Sequence, residues 1–200
     1  MIATAQPELR GPIVTLRDPR EADLDPLTAI LHEPEVAIWW VGYDAARVRA
    51  EFLEHPETTR VIEVEGRTAG VLIVLRGEDP EYPTTIMHIF LGTAFRGRRI
   101  GEEVMALAIR HEFDEGITRI TLDPNVKNEG AIRSYERLGF RRIGILRDYQ
   151  VRPGGTLDDA TMESETRKVM GRLNPHFRRF KEPVKALSGG QRQSVAIARA

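Results

Sequence analysis

The spacing of apolar residues changes period several times along this chain, and each change marks an element. Ile13 to Arg17 alternates as a strand does, and Asp18-Pro19 then opens a stretch where Leu24, Leu27, Ile30 and Leu31 recur at helical spacing. After a loop holding both tryptophans, Asp44 stands as a helix N-cap ahead of Val48, Phe52 and Leu53. Arg60 to Leu75 reads as a hairpin, with β-branched residues on both arms and Glu65-Gly66 at the turn. A polar loop over Arg76 to Pro83 leads to a strand at Ile86 to Leu91, and a helix follows from near Arg98, with Gly116 as its C-cap. Ile117 to Leu122 is a further strand, stopped by Asp123-Pro124-Asn125, and a helix then carries Asn128, Ile132 and Tyr135 on one flank. Phe140 to Val151 and Thr156 to Arg167 read as two final strands around Pro153-Gly154-Gly155.

The stretch with the most chemistry is Ile86 to Arg110. An apolar strand with Ile89, Phe90 and Leu91 breaks at Gly92-Thr93, and Arg96-Gly97-Arg98-Arg99-Ile100-Gly101-Glu102 leads straight into a helix. A helix start leaves backbone N–H groups unpaired and carries the positive end of the helix dipole, so this is a candidate phosphate site. Three arginines in four residues add charge at the same spot. A basic connecting loop is the plainer alternative.

Composition narrows the setting. The 200 residues allow one domain with a sizeable core plus something extra, and there is no cysteine. Disulfides, cysteine-ligated zinc and a thiolate nucleophile are thereby excluded. No segment reads as a secretion signal or a membrane span, so a cytoplasmic protein without membrane partners is the expectation. The net charge of −1 hides a division: residues 1–66 hold 6 Lys/Arg against 13 Asp/Glu, while residues 172–200 hold 7 against 1. The acidic part suits a cationic substrate, and an ordinary solvated acidic surface is the alternative.

Two runs together resemble the GNAT N-acetyltransferases. The turn Arg96 to Gly101 is similar to the family's coenzyme A pyrophosphate loop, with Arg99 standing where the middle glycine is usual. The run DPNVKNEGAIRSYERLGF has the Asn, Ala-Ile, Tyr and Gly-Phe spacing of the family's next motif. The resemblance implies a mixed α/β domain over about residues 10–170, with two central parallel strands splaying apart where acetyl-CoA enters. It also implies acetyl transfer to an amine. Tyr135 matches the family's general acid, and Asn128 the position holding the pantetheine side. A backbone N–H near Phe90 or Leu91 would stabilise the thioester oxygen, and the pantetheine would lie on that strand as an extra strand. No metal is suggested.

Within the family the chain looks most like the aminoglycoside 6'-N-acetyltransferases and relatives that acylate siderophore hydroxylysine. Their central strand reads Asp-x-Phe-Leu, so His88 occupies the place of their acidic residue, and an imidazole there can take the amine's proton at neutral pH. A strand histidine satisfied by a neighbour is the other reading. Trp39, Trp40, Tyr43 and Asp44 form either a wall of the acceptor pocket or a staple for the helix pair. A polycationic small-molecule amine ranks first as acceptor, and a peptide or protein amine second. A non-catalytic coenzyme A-binding module or a decayed gene product is the third reading, because Arg99 replaces the turn glycine.

Residues 172–200 stand apart from the domain at 1–171. Leu187-Ser188-Gly189-Gly190-Gln191 resembles the signature sequence of ABC-transporter ATPases, yet no Gly-Lys pair exists anywhere to form a phosphate loop. The tail reads as a detached fusion fragment. A docking or homodimer-forming tail is the functional alternative, and no folded module supports specific nucleic-acid binding.

Overall fold

The computed structural model describes residues 6–145. Six strands form one mixed sheet in sequence order: β1 (Leu9–Arg10), β2 (Val14–Arg17), β3 (Thr59–Val64), β4 (Arg67–Arg76), β5 (Thr84–Leu91) and β6 (Arg119–Thr121). All neighbours are antiparallel except β5 and β6, which run parallel. The helices are α1 (Leu24–Leu31), α2 (Pro34–Ala37), α3 (Ala45–Val48), α4 (Ile100–Asp114) and α5 (Glu129–Arg137).

Period-two alternation in the strands sends neighbouring residues to different cores. Val61, Val71 and Phe90 pack with Leu27, Ile30, Leu31, Val36, Val48 and Phe52 from α1 to α3. Their sequence neighbours Ile62, Leu72, Ile89 and Leu91 belong to the opposite face, against Ile100, Val104, Met105 and Ala108 of α4. The sheet is therefore filled on both sides, and each fully buried Leu or Phe is worth about 1.5–3 kcal/mol.

Local signals place the turns. Glu65 (φ 53°) and Gly66 (φ 73°) give the left-handed pair that a two-residue hairpin between twisted strands requires. The Gly116 and Gly139 amides, both at positive φ, bond back to Phe113 O and Glu136 O, and the next amides, Ile117 and Phe140, bond to Glu112 O and Tyr135 O. Both helices thus end in the same pair of backbone hydrogen bonds at a left-handed glycine.

Several boundaries differ from the pattern reading. Asp18-Pro19 does not start the first helix, because Asp23 accepts from both Arg17 Nη atoms at 2.8 Å and from the Arg20 amide at 2.8 Å, making a 3-10 turn at Glu21–Asp23 first. The helix at Val48 to Leu53 is α only to Val48 and continues as a π turn over Arg49–Leu53. The helix after the arginine turn begins at Ile100, not Arg98, because Arg99 is left-handed. The strand near Ile117 shortens to Arg119–Thr121, and β1 adds an unforeseen pair of residues. Of the two final strands, only 140–145 falls among the described residues, and those six form no ladder. The remainder and the tail at 172–200 lie outside the described residues.

Candidate active site

The parallel strands pair over only three positions, Thr84 with Arg119, Thr85 with Ile120 and Ile86 with Thr121. Beyond them β5 continues to Leu91 with β4 on one side and no described strand on the other. Gly92 donates to Ala69 O at 2.9 Å on the β4 side. By strand alternation Ile89 and Leu91 turn their backbone groups to the open edge, while Phe90 faces β4. Leu91 O bears this out, since it accepts from Arg96 Nε at 3.0 Å.

The open edge ends at the arginine turn. The amides of Gly97, Arg98, Arg99, Ile100 and Gly101 donate to no acceptor among the described residues, which leaves five adjacent N–H groups at the start of a 15-residue helix. Gly97 has φ 75° and Arg99 φ 59°, so the position where the family usually has glycine does require left-handed backbone, and an arginine holds it. That conformation costs a residue with Cβ about 1–2 kcal/mol. Gly101 is less constrained, because a Cβ there would meet Leu91 Cδ1 at an ordinary 3.5 Å.

The arginine side chains do not converge. Arg96 folds back on Leu91 O and lies 3.4 Å from Glu35 O, Arg98 pairs with Glu65 at 3.2 Å, and Arg99 lies 3.6 Å from Glu102. Glu102 also accepts from Arg137 Nε at 2.8 Å, tying α4 to α5. The anion-binding capacity of this turn therefore resides first in its backbone.

At the fork, two titratable side chains arrive from opposite faces. His88 alternates with Phe90 on the α1–α3 side of β5, and its Nδ1 lies 3.3 Å from Asp123 Oδ1. Asp123 stands two residues beyond the last paired residue of β6, as His88 does on β5, so the fork itself brings them together. Tyr135 packs against the α4-side core, its ring 6.1 Å from Phe140. The Phe140 amide bond to Tyr135 O holds the two rings at that spacing. Burial, with the Asp123 carboxylate adding to it, pushes the Tyr135 hydroxyl up to about 12. That hydroxyl makes no hydrogen bond to a described residue. Asn128 caps α5, its Oδ1 accepting from the Ala131 amide at 3.2 Å.

The aromatic residues of the loop pack on the helix pair. Trp40 sits 5.0 Å from the Phe90 ring, and Tyr43 stacks on Phe52 at 5.5 Å. Arg47 covers the other face of Tyr43 at 3.9 Å, and the Tyr43 hydroxyl donates to Glu51 at 2.6 Å, which together with burial raises its pKa. Asp44 caps α3 through the Arg47 amide at 2.8 Å. Trp39 is half-buried beside them. Within the first third Asp18 pairs with Arg60, Glu21 with Arg49, Asp23 and Glu63 with Arg17, and Glu51 with Arg47, all arginines of the same segment, so its acidic surplus stands.

Asp123, a strand stop in the sequence pattern, is a further candidate site residue. Its signal is the shared spacing from the strand pair, which only the parallel register shows.

A strand edge left open by a splayed parallel neighbour, leading into an amide-rich helix start, defines a fold that holds an extended phosphorylated cofactor between two strands. The model of the acetyltransferase (GNAT) family matches residues 24–140, and the chain belongs to that family. It is 30% identical over 86 residues to the N-alpha-acetyltransferase MAK3 of Arabidopsis thaliana, covering 42% of this chain and 45% of that one. It is 26% identical over 155 residues to an aminoglycoside N(6')-acetyltransferase type 1 of Klebsiella pneumoniae, covering 66% of this chain and 76% of that protein. The chain thus spans less than half the length of the first of these relatives. A structure of aminoglycoside acetyltransferase AAC(6')-Ib with acetyl-CoA shares the fold, at TM-score 0.57 and 24% identity over 66% of this chain and 86% of that one. Acetyl-CoA is the cofactor of this family, and among the described residues no helix is long and apolar enough to cross a membrane.

Proposed function

We propose that this protein transfers an acetyl group from acetyl-CoA to a primary amine at the β5–β6 fork. The observation that carries this reading is the continuity of the open β5 edge with the five unpaired amides from Gly97 to Gly101. Those amides would hold the pyrophosphate of the cofactor, and the Ile89 and Leu91 edge would hold its pantetheine arm as an added strand. The Leu91 N–H, directed to the open edge, donates to the thioester oxygen as charge develops on it. Phe90, whose backbone faces β4, is less suited to that task.

The amine nitrogen attacks the thioester carbon, the C–N bond forms and the C–S bond breaks. His88 Nε2 takes the amine's proton, because Nδ1 faces Asp123 and carries the other one. Tyr135 stays protonated through the neutral range and gives its proton to the departing sulfur. Solvent then restores both groups. Asn128 caps α5 and so fixes the helix that carries Tyr135.

A polycationic small-molecule amine, such as an aminoglycoside, is the first acceptor reading, supported by the similarity that covers two thirds of the chain. A peptide N-terminus is the second. It is favoured by the 30% identity to an N-alpha-acetyltransferase. Thiol release from acetyl-CoA against kanamycin, tobramycin, spermidine and peptide N-termini tests both. Turnover with aminoglycosides alone supports the first reading, turnover with peptides alone supports the second, and no thiol release with any amine counts against an acetyltransferase of either kind.

A further inference from the structure

The segment between the Leu91 N–H and the amides of Gly97 to Gly101 opens with a 3-10 turn at Thr93–Phe95. Gly92 is the cap of that turn and, having no side chain, offers no acceptor to the Thr93 amide. The acceptor comes from 60 residues away. Glu33 Oε2 accepts from the Thr93 amide at 2.6 Å and from the Thr93 hydroxyl at 2.6 Å, with Glu35 Oε2 3.5 Å from the same hydroxyl.

Glu33 forgoes a nearer use to do this. It stands at the N-cap of α2, where its backbone oxygen accepts from Val36 and Ala37, yet its carboxylate makes no cap bond there. Two further contacts tie the same parts together. Arg96, whose Nε holds Leu91 O at 3.0 Å, lies with Nη1 3.4 Å from Glu35 O. A Cβ on Gly92 would meet Ile30 Cγ1 at 3.1 Å and Glu33 Oε1 at 3.4 Å, so the α1–α2 junction sits tight against the end of β5. On the opposite flank the Gly92 amide donates to Ala69 O of β4 at 2.9 Å. The end of β5 is thus gripped from both sides, by a backbone bond from β4 and by a carboxylate from α1–α2.

Neither element needs this tie to stay in place. Leu27, Ile30 and Leu31 bury α1, and Phe95 and Ile100 bury the two ends of the arginine turn. What the tie adds is alignment of the stretch just after Leu91, whereas Gly97 to Gly101 lie beyond the buried Phe95. We propose that Glu33 is a positioning residue, which by holding Thr93 fixes the direction of the Leu91 N–H and touches neither cofactor nor amine. Both bonds end on one oxygen, so Glu33 acts through geometry, and a glutamine amide oxygen in its place can accept the same two bonds. The role of Glu33 rests on the acetyl-transfer reading of the fork.

The test titrates acetyl-CoA into the full-length wild type, Glu33→Ala, Glu33→Gln and Thr93→Val, followed by backbone amide shifts, with steady-state rates beside it. Glu33→Ala is expected to keep its acetyl-CoA Kd, read at Gly97 to Gly101, within about twofold of wild type. Its Leu91 response should fall sharply and its kcat drop about tenfold to a hundredfold. Glu33→Gln should restore most of both, and Thr93→Val, which keeps the amide bond and loses the hydroxyl, should lie between. A merely structural role would lower the urea midpoint and leave the Leu91 response and kcat intact. A carboxylate that contacts the amine would leave Glu33→Gln as impaired as Glu33→Ala, with a raised acceptor KM. Either result overturns the assignment, and Glu33→Gln with Thr93→Val decides alone if Glu33→Ala fails to fold. Absent saturation at Gly97 to Gly101 in the wild type would remove the cofactor reading and the role of Glu33 with it, whereas wild-type saturation with an undiminished Leu91 response in Glu33→Ala removes the role of Glu33 alone.

Discussion

The two ends of this sheet treat buried polar groups in opposite ways. At the β2–β3 end Arg17, Asp23, Glu63 and Thr68 bond one another: Asp23 takes two bonds from Arg17, one from Thr68 and one from the Arg20 amide. At the β5–β6 fork five backbone amides, the Leu91 N–H and the Tyr135 hydroxyl point to where no described residue accepts them. The first arrangement holds the fold and has nothing left to bind with. The second contributes little to folding and is made complete only by a ligand. Exposure alone would not separate them, since many surface groups are equally free. What separates them is that the fork's free donors form one continuous line along a strand and into a helix.

The sharpest way to break this contrast is Tyr135→Phe. Removing the hydroxyl keeps the packing against Phe140, so turnover should fall about 10²–10⁴-fold with acetyl-CoA affinity nearly unchanged. Steady-state rates beside a direct binding titration would show it, and equal losses in both would remove the acid role. At the other end, Asp23→Ala removes two of the four bonds of the buried Arg17 and should cost about 3–5 kcal/mol in urea unfolding. The folded fraction should still bind acetyl-CoA.

The same network sets an acid limit. Although burial works against it, the bonds from Arg17, Thr68 and the Arg20 amide hold the Asp23 carboxyl below the ordinary aspartate range. A carboxyl lowered in the folded state stabilises fully above its unfolded value of about 3.9 and loses that contribution as pH falls through the folded value. Stability should therefore drop below about pH 4, and a flat urea midpoint across that range would contradict the network's role.

Asp123→Asn should lower kcat by about tenfold to a hundredfold with the acceptor KM nearly unchanged, since the carboxylate that faces His88 Nδ1 is gone. A raised acceptor KM with kcat unchanged would make Asp123 a substrate contact and not a partner of His88. The smallest effect is expected at Arg99→Gly, which relieves the left-handed backbone and should raise stability by about 1 kcal/mol while leaving the turn's shape intact.

What was legible in the chain beforehand was local. The Glu65-Gly66 hairpin, the cap at Asp44, the glycine stop at Gly116 and the apolar strand run at 86–91 each depend on residues within a few positions of one another. The left-handed demand at Arg99 could be posed from sequence but not answered, because arginine gives no sign of a positive φ. The 3-10 turn at Glu21–Asp23 follows from a buried contact to Arg17 and Thr68, and Thr68 lies 45 residues away from Asp23. The pairing of His88 with Asp123 needs the parallel register of β5 and β6, and the open direction of Leu91 against Phe90 needs the β4 register. The packing of Trp40 on Phe90 and of Tyr43 on Phe52 shows only in the fold.

The most direct test of the fork is an acetyl-CoA titration followed by backbone amide shifts. The expected result is saturable movement of Gly97 to Gly101, Ile89 and Leu91, with Phe90 and the Arg17–Asp23 region still. No saturable change at about millimolar acetyl-CoA, or changes confined to residues away from β5 and the start of α4, would contradict the assignment of this edge and turn to the cofactor.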